Sequence, residues 1–125
     1  MKKQKVSVGQ FILRDNSCAT TCRAGMEKGI VLNKDYYLDI HSLMKYPLSR
    51  HDAKLYSKQV NLPLPTKKQL QLLADNIEMV TESLLRAGLG DYLFIGNLVQ
   101  ECWTRRASEQ NSETERRRVV FIVPV

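Results

Sequence analysis

The clearest pattern of apolar and polar positions follows a proline-rich segment. In Leu62-Pro63-Leu64-Pro65-Thr66 two prolines hold the backbone extended. Thr66 stands where a helix needs a cap, and Gln69 three positions on completes a capping-box pattern. Leu70, Leu73, Ile77, Val80 and Leu84 then recur at steps of three and four, which draws one apolar stripe on a helix. The stripe fits one helix or two helical segments with a break near Asp75-Asn76. Gly88 and Gly90 end it, because glycine tolerates a left-handed backbone.

The rest of the chain reads mainly as strands. Residues 6–13 alternate loosely and are rich in β-formers, with Gly9 as a bulge position. Arg14-Asp15-Asn16-Ser17 is turn chemistry, and 18–25 is a loop of small residues. Residues 28–32 and 36–40 are two further strands joined by the turn Asn33-Lys34-Asp35, so the three strands predict an antiparallel meander. Pro47 breaks the pattern, and Ser49 caps a short helix over 50–59 whose packed side holds Ala53 and Tyr56, with Leu55 beside them.

Beyond Asp91 the pattern is again that of strands. Residues 92–95 are short, Gly96-Asn97 is a turn, and 98–106 alternate partly. Residues 108–114 form a polar hairpin tip, and 117–125 are the most hydrophobic strand. Pro124 confines the end of that strand to a sheet edge. Strands and helices segregated in this order predict an α+β fold with two helices in one domain over 1–125.

Composition narrows the class without naming a function. At 125 residues, 43% hydrophobic and 26% charged, the chain matches an ordinary globular mix. Collagen, coiled coil, a disulfide-stapled mini-scaffold and a wholly disordered tail are excluded. The apolar runs are far shorter than the ~20 residues of a spanning helix, so no membrane association is expected. Met1-Lys2-Lys3-Gln4-Lys5 is basic, but Ser7, Gly9 and Gln10 interrupt the apolar run that a signal peptide requires. The expected location is the cytoplasm, or a virion assembled there.

Charge is uneven. Residues 1–65 hold 11 basic and 5 acidic side chains, a net of +6, whereas 66–125 hold 8 of each. Arg105, Arg106, Arg116, Arg117 and Arg118 lie among Glu101, Glu109, Glu113 and Glu115, which suggests an ion-paired hairpin more than a phosphate-tracking groove. The least compensated cations are Lys2, Lys3, Lys5, Lys67 and Lys68, and they define the rival reading, a small basic nucleic-acid-associated protein.

Candidate chemistry is sparse. Cys18, Cys22 and Cys102 are odd in number, and neither they nor His41 and His51 make a zinc set, so no metal or cofactor is expected. His41 and His51 are the natural general bases, yet no hydrolase, metalloprotease or nucleotide-binding motif accompanies them. A cysteine nucleophile would need an imidazole beside it, which sequence does not reveal. The chain therefore reads as no enzyme. Trp103, the only tryptophan, reads as a core plug more than a binding anchor. Tyr36, Tyr37, Tyr46, Tyr56 and Tyr92 divide between core and surface.

One resemblance spans nearly the whole chain. It is carried by Val8-Gly9-Gln10-Phe11 with Asp15-Asn16, by Gly29-Ile30-Val31, by Leu64-Pro65-Thr66, by Cys102-Trp103-Thr104 and by Arg118-Val119-Val120. In this order these segments resemble bacterial C-type-lectin-like domains. Examples are the Fibrobacter paralogous domain, the C-terminal domain of Legionella collagen-like adhesins and the variable proteins of diversity-generating retroelements. Asn61-Leu62-Pro63 stands where that group has Trp-Arg, and Cys102-Trp103 stands for Tyr-Trp. The resemblance implies paired N- and C-terminal strands, a long helix packed on the sheet, and a ligand-facing surface around 91–113. The loop and strand motifs of calcium-dependent sugar-binding lectins are missing from the sequence. The implied role is non-enzymatic binding or assembly through protein contacts, with glycan as a second ligand class and nucleic acid less favoured. Such a chain would work within a homo- or hetero-oligomeric assembly, such as a phage virion or a surface structure. The expected contact residues are Tyr92, Arg105, Arg106, Gln110 and Asn111.

Overall fold

A computed structural model describes residues 11–13, 18–19, 27–94, 101–105 and 116–125. Its elements are β1 (Phe11–Leu13), β2 (Cys18–Ala19), β3 (Glu27–Val31), β4 (Tyr36–Asp39), α1 (Arg50–Val60), α2 (Lys67–Asp75), α3 (Ile77–Arg86), a 3₁₀ turn (Gly90–Tyr92) and β5 (Ile122–Pro124). The fold is α+β. The described strands form one five-stranded antiparallel sheet in the order β2-β1-β3-β4-β5.

The expected meander is present as β1, β3 and β4, and Asn33 shapes the turn by accepting the N–H groups of Asp35 and Tyr36 at 2.8 Å each. Residues 18–19 are not loop but a short strand on the outer side of β1. Gly29 has a steric reason: a Cβ there would lie 2.1 Å from the Tyr37 ring on the neighbouring strand.

The expected pairing of N- and C-terminal strands is not found among the described residues. β5 pairs with β4, and β3 and β4 lie between it and β1. The reason lies in residues 119–123, which are apolar throughout and carry no alternation to select a partner. Val120 and Ile122 enter the main core, while Val119 and Phe121 enter a second one. This segment divides the two cores, and its reach carries the last strand beside β4. Among the described strands Pro124 sits on an edge strand, as its missing donor requires.

The main core joins Phe11, Leu13, Ile30, Leu32, Leu38 and Ile40 from one sheet face to Leu70, Leu73, Val80 and Leu84 from the helices. Ile12, Val31 and Tyr37, the alternate positions, pack together on the opposite face. The leucine stripe lies on two helices, not one. Thr66 and Gln69 form the complete capping box of α2, and the break falls at Asn76. α3 ends in a Schellman turn: Gly88, with φ of 76°, donates to the Leu85 carbonyl, and Leu89 donates to that of Leu84. α1 is capped by Ser49 and packs through Ala53, with Tyr56 and Val60 at its rim, in the second core around Trp103.

The C-terminal hairpin also differs from expectation. Tyr92 ends a 3₁₀ turn, and Leu93 and Phe94 follow it without strand pairing. Cys102 bridges Arg118 in parallel, and Arg117 bridges Leu48 in antiparallel fashion. A simple hairpin between 98–106 and 117–125 would have been antiparallel. The polar tip at 108–114 and the strand segment 6–10 lie outside the described residues. Among the described residues no helix is long and apolar enough to cross a membrane.

Candidate functional site

Two loops meet on the side chain of Arg118. Its Nε and one terminal nitrogen donate to the Met44 carbonyl at 3.2 and 2.9 Å. The guanidinium also donates to the carbonyls of Tyr92 at 3.0 Å and Leu93 at 2.9 Å. Its plane lies over the Phe94 ring, 4.2 Å from the centroid. Arg118 is half-buried, and burial lowers its pKa from the usual arginine value. A planar fork with five donors suits this task, because several carbonyls converge on one rigid group.

The first loop, residues 40–48, is tied at three points. The Asp39 carboxylate accepts the Ser42 N–H at 2.9 Å, and the Tyr56 hydroxyl donates to the Ser42 carbonyl at 2.7 Å. Arg118 holds Met44. The Leu48 carbonyl then accepts both the Trp103 indole N–H at 2.7 Å and the Arg117 backbone N–H at 3.0 Å. Between the last two anchors Lys45, Tyr46 and Pro47 stand exposed. Tyr46 keeps 66% of its surface in solvent, and the Lys45 ammonium lies 5.3 Å from its ring. An aromatic residue displayed on a tethered loop loses little conformational freedom when a partner covers it.

Trp103 does fill the second core, with 1% of its surface exposed. Arg117 lies over its ring at 5.4 Å. Beside it, Cys102 is buried, and burial pushes its thiol up to about 12 against a smaller opposing effect of Arg118. Burial therefore favours the protonated thiol. Burial likewise raises Tyr56 and Tyr37 above the ordinary tyrosine value, and the Asp39 charge adds to both.

The expected contact residues are placed unequally. Tyr92 is half-buried and belongs to the Arg118 platform through its carbonyl. Arg105 is exposed but also acts as a clamp: its N–H donates to the Pro65 carbonyl at 2.7 Å and its Nε to that of Leu64 at 3.1 Å. This fixes the extended segment that leads into α2. Arg106, Gln110 and Asn111 lie outside the described residues. Of the arginines expected to pair with glutamates, Arg118 donates to carbonyls and Arg117 lies over an indole; Glu109, Glu113 and Glu115 lie outside the described residues. Of the rival cations, Lys67 and Lys68 are exposed on the first turn of α2, while Lys2, Lys3 and Lys5 are not among the described residues.

His41 and His51 are exposed. Among the described residues no group of three or more His, Cys, Asp or Glu side chains is placed to hold a metal ion. Sequence reading missed Arg118 as a hub and Tyr46 as the displayed residue. The one local signal was Pro47 following Lys45-Tyr46, which marks a turn that projects from the surface. No protein-family model, curated protein or solved structure matches this chain.

Proposed function

We propose that the chain is a non-enzymatic binding or assembly module that works through protein contacts, within a larger particle such as a phage virion or a surface structure. The observation that carries this reading is the loop 44–48, held by Arg118 and Trp103 so that Lys45, Tyr46 and Pro47 project from a fixed base. Tyrosine supplies large contact area at low entropic cost, and a tethered loop binds without ordering itself first. Tyr92, on the same guanidinium, is its neighbour on the platform. The proposed contact residues also include Arg105 and, outside the described residues, Arg106, Gln110 and Asn111. Glycan remains the second ligand class.

The lectin-like likeness supports the reading in three places. Leu64-Pro65-Thr66 opens a capped helix, Trp103 plugs the core behind the platform, and Arg118-Val119-Val120 leads into the last strand. The paired chain ends of that group have no counterpart among the described strands, so the likeness is to the order of parts more than to the sheet.

The test is photo-crosslinking of the full chain in its native cell. One variant carries the crosslinking side chain at position 46 and a control carries it at position 34, in the turn at the other end of β4. The expected result is a discrete protein adduct from position 46, resistant to nuclease and absent from position 34. Adducts that appear equally at both positions, or that disappear on nuclease treatment, would overturn the reading.

A further inference from the structure

Positive charge gathers in one stretch of the chain. Between Asp39 and Asp75 the sequence holds six lysines and arginines against a single acid, Asp52, which places +5 of the net +6 there. Three of these cations, Arg50, Lys54 and Lys58, stand four residues apart along α1 and so form one line on its side. The step between them is about 6 Å. Lys54 and Lys58 are exposed, and Arg50 is half-buried. Like charges at this spacing repel, and only Lys58, in the last turn, gains from the helix dipole. Asp52 falls at least about 120° round the helix from each of the three. Among the described residues no carboxylate pairs with any of them, and the buried Nε of Arg50 has no hydrogen-bond acceptor. The line of charge therefore weakens α1 a little and serves no contact of the fold.

More cations follow at the next helix. α2 opens with Lys67 and Lys68, both exposed, and its first turn holds no acid, although positive charge is disfavoured at this helix end. The segment from Asn61 to Thr66 spans at most about 18 Å. It is fixed by Arg105, which donates to the carbonyls of Leu64 and Pro65. The apolar side of α1 is already covered, because Ala53, Tyr56 and Val60 pack in the second core. Its outer side keeps Leu55 as the one exposed large hydrophobic of the helix. That side lacks both the apolar face that lies in a bilayer and the aromatic anchors of a protein hot spot. Tyr56 packs against Phe121, so α1 leaves no ring free for bases to stack on. Evenly spaced cations without apolar partners suit a ligand of dense, regular charge, and a nucleic-acid duplex carries one negative charge per about 1.7 Å of its axis.

We propose that the outer side of α1, with the first turn of α2, binds the phosphate backbone of duplex nucleic acid without reading its sequence. Binding draws its free energy from the counterions that the cations release from the phosphates, so it weakens steeply as salt rises. This is a function beyond the protein-contact reading, and it uses other residues than the Tyr46 loop. The module then meets a protein neighbour through the loop and nucleic acid through the helix.

The test is fluorescence anisotropy of a short labelled DNA duplex titrated with the nuclease-treated full chain over a series of salt concentrations. The wild type should bind, and a duplex of scrambled sequence should compete equally. K54Q, K58Q and K68Q should each lower the slope of log affinity against log salt by about 1 and weaken binding about fivefold near ~0.1 M salt. K34Q removes the same charge from the exposed turn before β4 and should leave the slope unchanged. Circular dichroism of each variant confirms folding, which exposed positions should not disturb. A wild type that ignores the duplex at low salt, or a K34Q loss equal to those of K54Q and K58Q, would overturn the site. An unchanged slope in K68Q would strike α2 from it. Tighter binding to phosphatidylserine vesicles or to polyglutamate than to the duplex would also overturn it, and would assign the cations to a membrane or to an acidic protein. A chain that ignores the duplex yet gives the position-46 adduct would sink this site alone and leave the protein-contact reading standing.

Discussion

Leu70, Leu73, Val80 and Leu84 hold α2 and α3 to the sheet by apolar burial, whereas the loops at 44–48 and 92–94 are held by one guanidinium, one indole and the backbone bridge between Leu48 and Arg117. The first region gains stability from area removed from water, shared among many contacts and free of directional demands. The second depends on a few directional bonds to backbone carbonyls that would otherwise need water. A core can yield one leucine and keep its form. A platform built on one side chain loses its geometry when that side chain goes.

The largest expected effects put this contrast directly to the test. Leu73→Ala should cost about 3–4 kcal/mol of global stability, within the range for a fully buried leucine, while amide exchange in the loop 44–48 changes only with the global term. Arg118→Met should cost about 3 kcal/mol, because it strands the carbonyls of Met44, Tyr92 and Leu93 near a low-dielectric interior. It should also open the amides of 44–48 and 92–94 to exchange well below the global unfolding free energy. Arg118→Lys should recover only part of this, since a point-like ammonium cannot span carbonyls that a planar fork reaches. Equal loop protection in Leu73→Ala and Arg118→Met would erase the distinction between the regions.

The same contrast explains what could be read from the sequence. The helix cover announces itself locally: a capping box closes within four residues, and a stripe repeats every turn. Thr66, Gln69 and the leucines were therefore legible. The Arg118 ties reach across 25, 26 and 74 positions, and nothing in the local pattern marks their ends. Its glutamate neighbours in sequence point to surface ion pairs, and no local pattern points to the carbonyls of Met44, Tyr92 and Leu93 that its guanidinium meets. The sheet edge followed the same rule. Pro124 correctly placed the last strand at an edge, but a segment apolar on both faces could not say which strand it would join. The sequence predicts a short strand over 92–95, whereas Tyr92 closes the 3₁₀ turn Gly90–Tyr92. The bond from Tyr92 to the Leu89 carbonyl, at 3.0 Å, wins locally.

The two regions meet at a seam, Cys102. Its side chain belongs to the main core, and its backbone bridges Arg118. Burial raises the thiol from 9.0 to about 12, so the folded chain keeps a proton that the unfolded chain releases. Between those values the unfolded state binds fewer protons, and stability falls as pH rises. The contribution is complete below about pH 9 and should be reduced by roughly 2–3 kcal/mol near pH 11. Tyr37 and Tyr56, also raised, deepen the decline above pH 10. Denaturant titrations from pH 7 to 11 should show it, and Cys102→Ala should remove the early part of the slope while lowering stability at pH 7. An unchanged slope would mean that the thiol is not the titrating group.

The smallest effect probes the boundary between legible and illegible features within one helix pair. α2 begins with a side-chain cap that the sequence displays, whereas α3 begins at Asn76, whose side chain makes no cap bond and donates instead to the Leu72 carbonyl behind it. Thr66→Ala removes the acceptor for the Gln69 N–H and should cost about 1 kcal/mol. Asn76→Ala removes one half-buried bond at a break already closed by the Asn76 N–H to the Leu73 carbonyl, at 3.1 Å, and should cost about half as much. The order of the two, read from urea midpoints with a constant slope, carries the argument. A larger loss at Asn76 would show that the kink positions α3, and with it the Leu84 and Val80 contacts, more firmly than the cap positions α2.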